Sequence, residues 1–129
     1  MDVNNNQAQK RILIVEDNSD LAEIYSTMLQ LDGFAVKIVI NGEEALKAAL
    51  DFHPNLVLLD VMIPVLNGFD VLEILRNTPE TTNIKVVMVT ALNKDGDIQR
   101  AKKLKVDDYL IKSQVSTDDI VEHVKRLLA

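Results

Sequence analysis

Leu56-Val57-Leu58-Leu59-Asp60, followed by Val61-Met62-Ile63-Pro64, is the segment from which the architecture can be deduced. Its apolar part has no polar alternation, which is typical of a strand buried on both faces of a parallel sheet. Asp60 then lies at the carboxyl end of the strand, where ligands bind in open α/β sheets. An ordinary capping role for Asp60 is the alternative, and the segment alone does not decide between the two.

Apolar runs of strand length alternate with helical patterns along the rest of the chain. Strands are also predicted at residues 11–15, 34–40, 85–89 and 107–111, each followed by apolar residues at helical spacing. This alternation predicts an α/β fold in which a parallel sheet has helices on both faces. With the strand order 2-1-3-4-5, the fold is a doubly wound, five-stranded, flavodoxin-like sheet. The inner faces of the first two helices are predicted to be Leu21, Ile24, Tyr25, Met28 and Leu29, and Ala45, Leu46, Ala49 and Leu50, respectively.

The composition narrows the functional classes. The chain has 129 residues, no cysteine and a net charge of −6, so one domain is expected, and a disulfide framework or a thiolate metal site is excluded. Sequence-independent binding to nucleic acid depends on Lys and Arg neutralising phosphates, so we expect no direct nucleic acid binding. No apolar run could span a bilayer and no signal-peptide pattern is present, so we expect no membrane contact and a cytoplasmic location.

Residues 1–9 are polar and rich in Asn and Gln. Such a segment offers nothing to a hydrophobic core, so we predict a disordered N-terminal tail there. Residues 10–129 are predicted to form a single domain, because no internal repeat and no linker interrupts the alternation of strands and helices.

Polar side chains follow four of the five predicted strands. Glu16 and Asp17 follow the first strand, Asp60 the third, Thr90 the fourth and Lys112 the fifth. Because parallel strands end at one edge of the sheet, and strands 1 and 3 are neighbours at the switch point, three carboxylates converge in one cleft. Each residue also has an ordinary interpretation as a helix cap, a strand-end hydroxyl or a surface charge. Their joint placement is what predicts a site.

The chemistry of this cleft suits phosphoryl transfer. Carboxylates this close raise one another's pKa, and a divalent cation removes that penalty. Oxygen ligands with room for water favour Mg²⁺, which also screens the charge of an incoming phosphoryl group. Asp60 can then act as the nucleophile that forms an acyl phosphate, while Thr90 and Lys112 contact the phosphoryl oxygens.

The sequence resembles the receiver domain of response regulators in two-component signalling over residues 11–128. The matching motifs are Ile-Leu-Ile-Val-Glu16-Asp17-Asn, Leu-Leu-Asp60-Val-Met-Ile-Pro64 with Gly68, Val-Thr90-Ala91, and Asp107-Asp108-Tyr109-Leu-Ile-Lys112. The resemblance implies that Asp60 accepts a phosphoryl group from a phosphohistidine of a sensor histidine kinase or a phosphotransfer protein. The other roles that it implies are Mg²⁺ ligation by Glu16, Asp17, Asp60 and the backbone carbonyl of Met62, and phosphoryl contact by Thr90 and Lys112.

Tyr109 matches the switch aromatic of this family, which turns inward as Thr90 moves toward the phosphoryl group. The resemblance therefore implies a signal carried by the face of the fourth helix, the fifth strand and the fifth helix. Because no output domain follows in the sequence, we expect a stand-alone receiver that acts on an unknown output protein. A homodimer through the same face is left open, and the protein is expected to be a phosphoacceptor rather than an enzyme.

Two positions depart from the family pattern. Ser113 follows Lys112 where the family usually has a proline joined by a cis bond. A cis bond before a residue other than proline costs about 2.5–4 kcal/mol, so a trans bond is predicted here. Lys105 stands where the family usually has glycine, so a positive φ at this position would strain the backbone.

The remaining residues of interest have simpler interpretations. His53 and His123 are predicted to be surface residues. Met62 and Leu92 flank the site in this family, and their apolar side chains predict a long-lived phosphoryl group. A solvated helix face, or a site for an acidic partner, is predicted for the basic group of Arg100, Lys102, Lys103 and Lys105.

A phosphorylation-independent adaptor with the same fold is the main alternative function, and the intact acidic cluster argues against it. A flavin-binding protein of this fold would need a phosphate-binding loop after the first strand, where Glu16 and Asp17 repel a phosphate. A haloacid-dehalogenase-type phosphatase would have a second aspartate two residues after Asp60, where Met62 stands instead.

Overall fold

The computed structural model describes residues 9–129. The predicted N-terminal tail lies outside these residues apart from Gln9, whose side-chain amide donates to the Gly33 carbonyl oxygen at 2.8 Å. In chain order, the elements are β1 (Arg11–Val15), α1 (Ser19–Leu31), β2 (Ala35–Val39), α2 (Gly42–Asp51), β3 (Leu56–Leu59), α3 (Gly68–Asn77), β4 (Lys85–Thr90), α4 (Asp95–Lys103), β5 (Asp108–Ile111) and α5 (Thr117–Leu128).

The five strands form one parallel sheet in the order β2-β1-β3-β4-β5. The prediction of a doubly wound α/β fold with this strand order is therefore confirmed. β1 and β3 are neighbours, with Val15 paired to Leu59. Both strands end at the same edge, so the residues that follow them lie side by side.

The period-two alternation of β3 divides the core into two layers. Val57 and Leu59 pack with α2, α3 and α4 on one face of the sheet. Leu56 and Leu58 pack with α1 and α5 on the other face. All four side chains are buried, so β3 is covered on both faces, as its uninterrupted apolar sequence predicted.

Two predicted inner-face residues are exposed. Ile24 on α1 and Leu50 on α2 are each 47% exposed, so their assignment to the core was wrong. Ala22 and Ala48 are buried in their place. Small side chains let a helix backbone approach the sheet closely, and the larger apolar residue beside them then lies at the solvent edge of the stripe.

Side chains cap four of the five α-helices in the described part of the chain. Asn18, Asn41, Asn67 and Ser116 each accept a hydrogen bond from a backbone N–H in the first turn of their helix. The helix α4 begins after Lys94 without such a bond. Its N-terminus, which follows the carboxyl end of β4, is therefore the least anchored of the five.

Lys105 has a φ of 66°, the left-handed conformation in which a lysine is strained. Its carbonyl oxygen accepts a hydrogen bond from Arg76 Nε at 3.0 Å, and Arg76 Nη2 also lies 2.9 Å from Asp107 Oδ2. The strained turn after α4 is therefore held in place by a side chain of α3.

Candidate functional site at the carboxyl edge of the sheet

Glu16 and Asp60 are placed side by side by the backbone of β1 and β3. Asp60 N–H donates to the Val15 carbonyl oxygen at 3.1 Å, and Glu16 N–H donates to the Val39 carbonyl oxygen at 3.1 Å. Both residues thus extend the strand pairing by one step beyond the sheet. β1 and β3 are therefore neighbours, as the predicted strand order required.

The three predicted carboxylates form one cluster. One carboxylate oxygen from each of Glu16, Asp17 and Asp60 lies within 4.8 Å of the others. Glu16 and Asp60 are buried, at 3% and 6% exposure, whereas Asp17 is exposed. Hard carboxylate oxygens with one open side fit a small divalent cation such as Mg²⁺.

Lys112 joins the two buried carboxylates. Its Nζ lies 2.7 Å from Glu16 Oε1 and 2.8 Å from Asp60 Oδ2. Burial lowers the pKa of Lys112, but hydrogen bonds to Asp60 and Glu16 outweigh it, so the pKa lies above its ordinary value.

Residues 9–129 contain no cis peptide bond, which confirms the predicted trans bond before Ser113. A 3₁₀ turn, Lys112–Gln114, begins at this point.

The other oxygen of each buried carboxylate is held by the backbone. Glu16 Oε2 accepts from Asn18 N–H at 3.1 Å, and Asp60 Oδ1 accepts from Met62 N–H at 3.1 Å. Each carboxylate is therefore oriented by an amide on one side and by the Lys112 ammonium on the other. The contribution of the Met62 carbonyl to a metal site stays a prediction.

The backbone of Leu92 connects Thr90 with Tyr109. Thr90 is fully buried, and its Oγ1 accepts from Leu92 N–H at 3.4 Å. The half-buried Tyr109 donates its hydroxyl to the Leu92 carbonyl oxygen at 2.9 Å. Sequence reasoning placed only the Leu92 side chain near the site. The backbone connection has no signature in the residue types, because any residue could provide it.

Gly68 allows the loop after β3 to close over Asp60. A Cβ at this position would lie 2.5 Å from the Asp60 carbonyl oxygen, so only glycine fits. The Gly68 N–H also donates to the Val61 carbonyl oxygen at 2.8 Å. The glycine in the predicted motif is thus explained by a close backbone approach.

The histidines differ in their surroundings. His53 is exposed, as predicted, but His123 on α5 is half-buried. His123 Nδ1 is in close contact with the Asp108 carboxylate, which also accepts from Tyr109 N–H at 3.0 Å. His123 is therefore less exposed than its predicted surface position implied, because β5 presents a carboxylate to this face of α5.

The basic group on and after α4 is exposed, as predicted. One member, Arg100, places its guanidinium carbon 4.4 Å from the ring centre of Phe69. This cation–π contact joins α4 to the first turn of α3. Because α3 begins at Gly68, the contact connects α4 with the loop over Asp60.

Comparisons with known proteins agree on one family. The family model described as response regulator receiver domain matches residues 12–125. The chain is 36% identical over 104 residues to the DNA-binding response regulator MtrA of Mycobacterium tuberculosis (strain H37Rv), covering 81% of this chain and 44% of MtrA. A CheY-like response regulator receiver domain protein from Methanospirillum hungatei has a TM-score of 0.86 at 27% identity, covering 94% of each chain. A DNA-binding response regulator of the LuxR family from Staphylococcus aureus has a TM-score of 0.82 at 30% identity, covering 91% of this chain and 97% of that chain.

These relatives contradict the prediction of no direct nucleic acid binding. MtrA and the Staphylococcus aureus protein are both named as DNA-binding. The chain spans less than half the length of the curated relatives it matches. The prediction rested on a net charge of −6. That charge describes only the residues of this chain, and it places no limit on the charge of the parts of a relative that lie beyond the matched region.

None of the helices within residues 9–129 has the length and apolar character that crossing a bilayer requires.

Proposed function

The chain belongs to the response regulator receiver domain family, and we therefore propose that Asp60 accepts a phosphoryl group from a phosphohistidine of a sensor histidine kinase or a phosphotransfer protein. One observation carries the proposal. Asp60 is buried at the carboxyl edge of the sheet, with an ammonium group 2.8 Å from one carboxylate oxygen and a second carboxylate beside it. This arrangement provides a nucleophile and the positive charge that phosphoryl oxygens need.

In the proposed reaction, one carboxylate oxygen of Asp60 bonds to phosphorus while the phosphorus–nitrogen bond to the donor imidazole breaks. The electron pair of that bond stays on the imidazole. Lys112 stabilises the charge on the phosphoryl oxygens, and Thr90 donates a hydrogen bond to one of them. A bound Mg²⁺, held by Glu16, Asp17, Asp60 and the Met62 carbonyl, would add positive charge at the same oxygens.

The proposed signal follows from the hydrogen bonds of Thr90. When Thr90 turns toward the phosphoryl group, its Oγ1 leaves the N–H of Leu92, whose carbonyl oxygen holds Tyr109 at 2.9 Å. The segment between β4 and α4 then rearranges, and α4 has no side-chain cap to resist this. The change reaches the face of α4, β5 and α5, where an output protein would detect it.

Incubation with acetyl phosphate and Mg²⁺ tests the proposal. We expect intact-mass spectrometry to show the gain of one phosphoryl group, and peptide mapping to place it on Asp60. Asp60→Asn is expected to abolish the gain, whereas the exposed-surface control Asp20→Asn is expected to leave it unchanged. No gain in the unmodified chain, or an equal gain in Asp60→Asn, would contradict the proposal.

The same experiment distinguishes the proposed phosphoacceptor from the adaptor alternative. A phosphorylation-independent adaptor would show no phosphoryl gain on Asp60. The stand-alone organisation stays a prediction, and the length of the native polypeptide on an immunoblot tests it.

We propose a signalling role rather than turnover of a separate substrate, so no product beyond inorganic phosphate is expected from the phosphorylated chain.

A further inference from the structure

Tyr25 is a buried residue of α1 that the proposed phosphoryl chemistry does not use. Its side chain is 4% exposed and packs in the layer between the sheet, α1 and α5. A small space beside the carboxylates is lined by Tyr25, Glu16, Asp60 and apolar side chains of β1, β3 and β4. That space has no room for a water molecule. Tyr25 therefore faces the charged groups of the site from the core side.

The Tyr25 hydroxyl makes no hydrogen bond within residues 9–129, whereas the Tyr109 hydroxyl does. Buried phenol hydroxyls usually have a partner, and no water can take that place here. Burial raises the pKa of Tyr25 to about 12, and the charges of Lys112, Glu16 and Asp60 also act on it. The charged groups that share this space with Tyr25 are the carboxylates of Glu16 and Asp60, and both of them bind Lys112.

Lys112 has a donor that is free to use this oxygen. An ammonium group carries three N–H donors, and two of them bind Glu16 and Asp60. Lys112 also has a flexible four-carbon stem, and Ser113 does not fix the backbone after it as a proline ring would. When one carboxylate partner is drawn away, the ammonium keeps a single contact and has two donors free.

We propose that Tyr25 is a positioning residue for Lys112, and that its phenol oxygen accepts the third N–H of the ammonium when a cation or a phosphoryl group draws one carboxylate away. The inference rests on the proposed function, because its consequence is that Lys112 stays close to Asp60 during transfer.

A double-mutant cycle of Tyr25→Phe with Lys112→Met tests this inference. The first readout is the rate of Asp60 phosphorylation as acetyl phosphate is varied. In the Lys112 background, we expect Tyr25→Phe to slow the maximal rate between about twofold and tenfold, the range that one net hydrogen bond supplies. In the Lys112→Met background, we expect no further slowing. Equal slowing in both backgrounds would overturn the inference, since a purely structural role acts without Lys112.

The second readout is urea unfolding of the same four proteins in Mg²⁺, which needs no phosphoryl chemistry. We expect Tyr25→Phe to raise the equilibrium constant of unfolding only where Lys112 is present, again by about twofold to tenfold. Tyr109→Phe is the matched control, because its hydroxyl binds the Leu92 carbonyl, and its effect should be the same in both backgrounds. A chain that takes up no phosphoryl group but shows the coupling would contradict the proposed function alone. Absence of coupling in both readouts would overturn the role of Tyr25.

Discussion

Lys112 contacts both buried carboxylates of the site, and its side chain is a quarter exposed, at 25%. The structure thus holds two carboxylates and one ammonium in the most buried part of the cluster. A cation that ligated Glu16 Oε1 or Asp60 Oδ2 would compete with Lys112 for that oxygen. Because Lys112 lies at the end of β5 and the carboxylates at the ends of β1 and β3, this contact also joins three strands.

Lys112→Met is expected to lower the free energy of unfolding by about 2–4 kcal/mol at neutral pH without added cation, because it leaves two carboxylates buried beside each other without a counter-charge. Added Mg²⁺ is expected to recover more stability in this variant than in the parent, because the cation no longer competes with an ammonium. Urea unfolding with and without Mg²⁺ measures both effects. The exposed Lys47, paired with Asp51, is the control, and Lys47→Met should change little. An unchanged stability of Lys112→Met would contradict the argument.

Residues at strand ends could be predicted from the sequence, because parallel topology alone brings Glu16, Asp60 and Lys112 together. Leu92 and Tyr25 could not be placed in the same way. The role of Leu92 lies in its backbone, which leaves no trace in residue type. Tyr25 looked like one member of an apolar stripe, and only the packing of α1 against the sheet brings its ring beneath the carboxylates.

The loop between β3 and α3 is strained at Val65. Val65 has a φ of 74°, an outlier for a β-branched residue. The Leu66 N–H donates to the Pro64 carbonyl oxygen at 2.9 Å, which closes a γ-turn around Val65. Gly42 also donates to that carbonyl at 3.2 Å, so α2 holds the loop from the other side. The loop that positions Met62 beside Asp60 is therefore kept in place against its local preference.

Val65→Asn is expected to raise the free energy of unfolding by about 0.5–1.5 kcal/mol, since asparagine tolerates positive φ better than valine and the valine side chain is 70% exposed. Urea unfolding measures the change. The control is Leu31→Asn, an exposed apolar residue in a helix, where no gain is expected. A loss of stability in Val65→Asn would show that the loop is not strained at this residue.

The helix α5 begins with a capping box, in which Ser116 Oγ accepts from Asp119 N–H and Asp119 Oδ2 accepts from Ser116 N–H. Hydrogen bonds from Ser116 hold the pKa of Asp119 below its ordinary value. A lowered folded-state pKa contributes stability that is present above the unfolded value of 3.8 and is lost as pH falls through the folded value. The start of α5 is therefore expected to weaken in acid.

Ser116→Ala is expected to lower the free energy of unfolding by about 1 kcal/mol at neutral pH, as the loss of an N-cap usually does. The difference from the parent should shrink as the pH falls below 3.8, the unfolded value, because Asp119 becomes protonated around its lower folded-state pKa and the box then weakens. Urea unfolding at several pH values measures this. The control is Ser19→Ala in the first turn of α1, where Asn18 is the cap. A difference that stays constant with pH would contradict the role of the carboxylate.

The charged site lies at the carboxyl edge of the sheet, where side chains of both core layers line the space beside Glu16 and Asp60. The uninterrupted apolar sequence of β3 made the two core layers predictable, and the alternation of strands and helices made the parallel sheet predictable. The exposure of Ile24 and Leu50 could not be predicted, because it depends on how closely α1 and α2 approach the sheet. The position of Tyr25 beside the carboxylates likewise depends on how the layers pack together.

Alkaline titration probes that assembly, because both tyrosines lie between the sheet and its helices. Burial raises the pKa of Tyr25 to about 12 and also raises that of Tyr109. A raised folded-state pKa gives stability that is fully present below the unfolded value of 10.0 and is lost as pH rises through the folded value. We therefore expect the free energy of unfolding to fall between pH 10 and about pH 12.

Absorbance of tyrosinate measures this effect directly. The titration in concentrated urea should have its midpoint near the unfolded value, 10.0, whereas the native Tyr109→Phe variant, which retains only Tyr25, should titrate near 12. Ionisation of Tyr25 places a negative charge beside Glu16 and Asp60, so its appearance should coincide with the loss of helical circular dichroism as α1 leaves the sheet. Coincident titrations in urea and in buffer would mean that Tyr25 is accessible to solvent in the folded protein, and would contradict its burial beside the carboxylates.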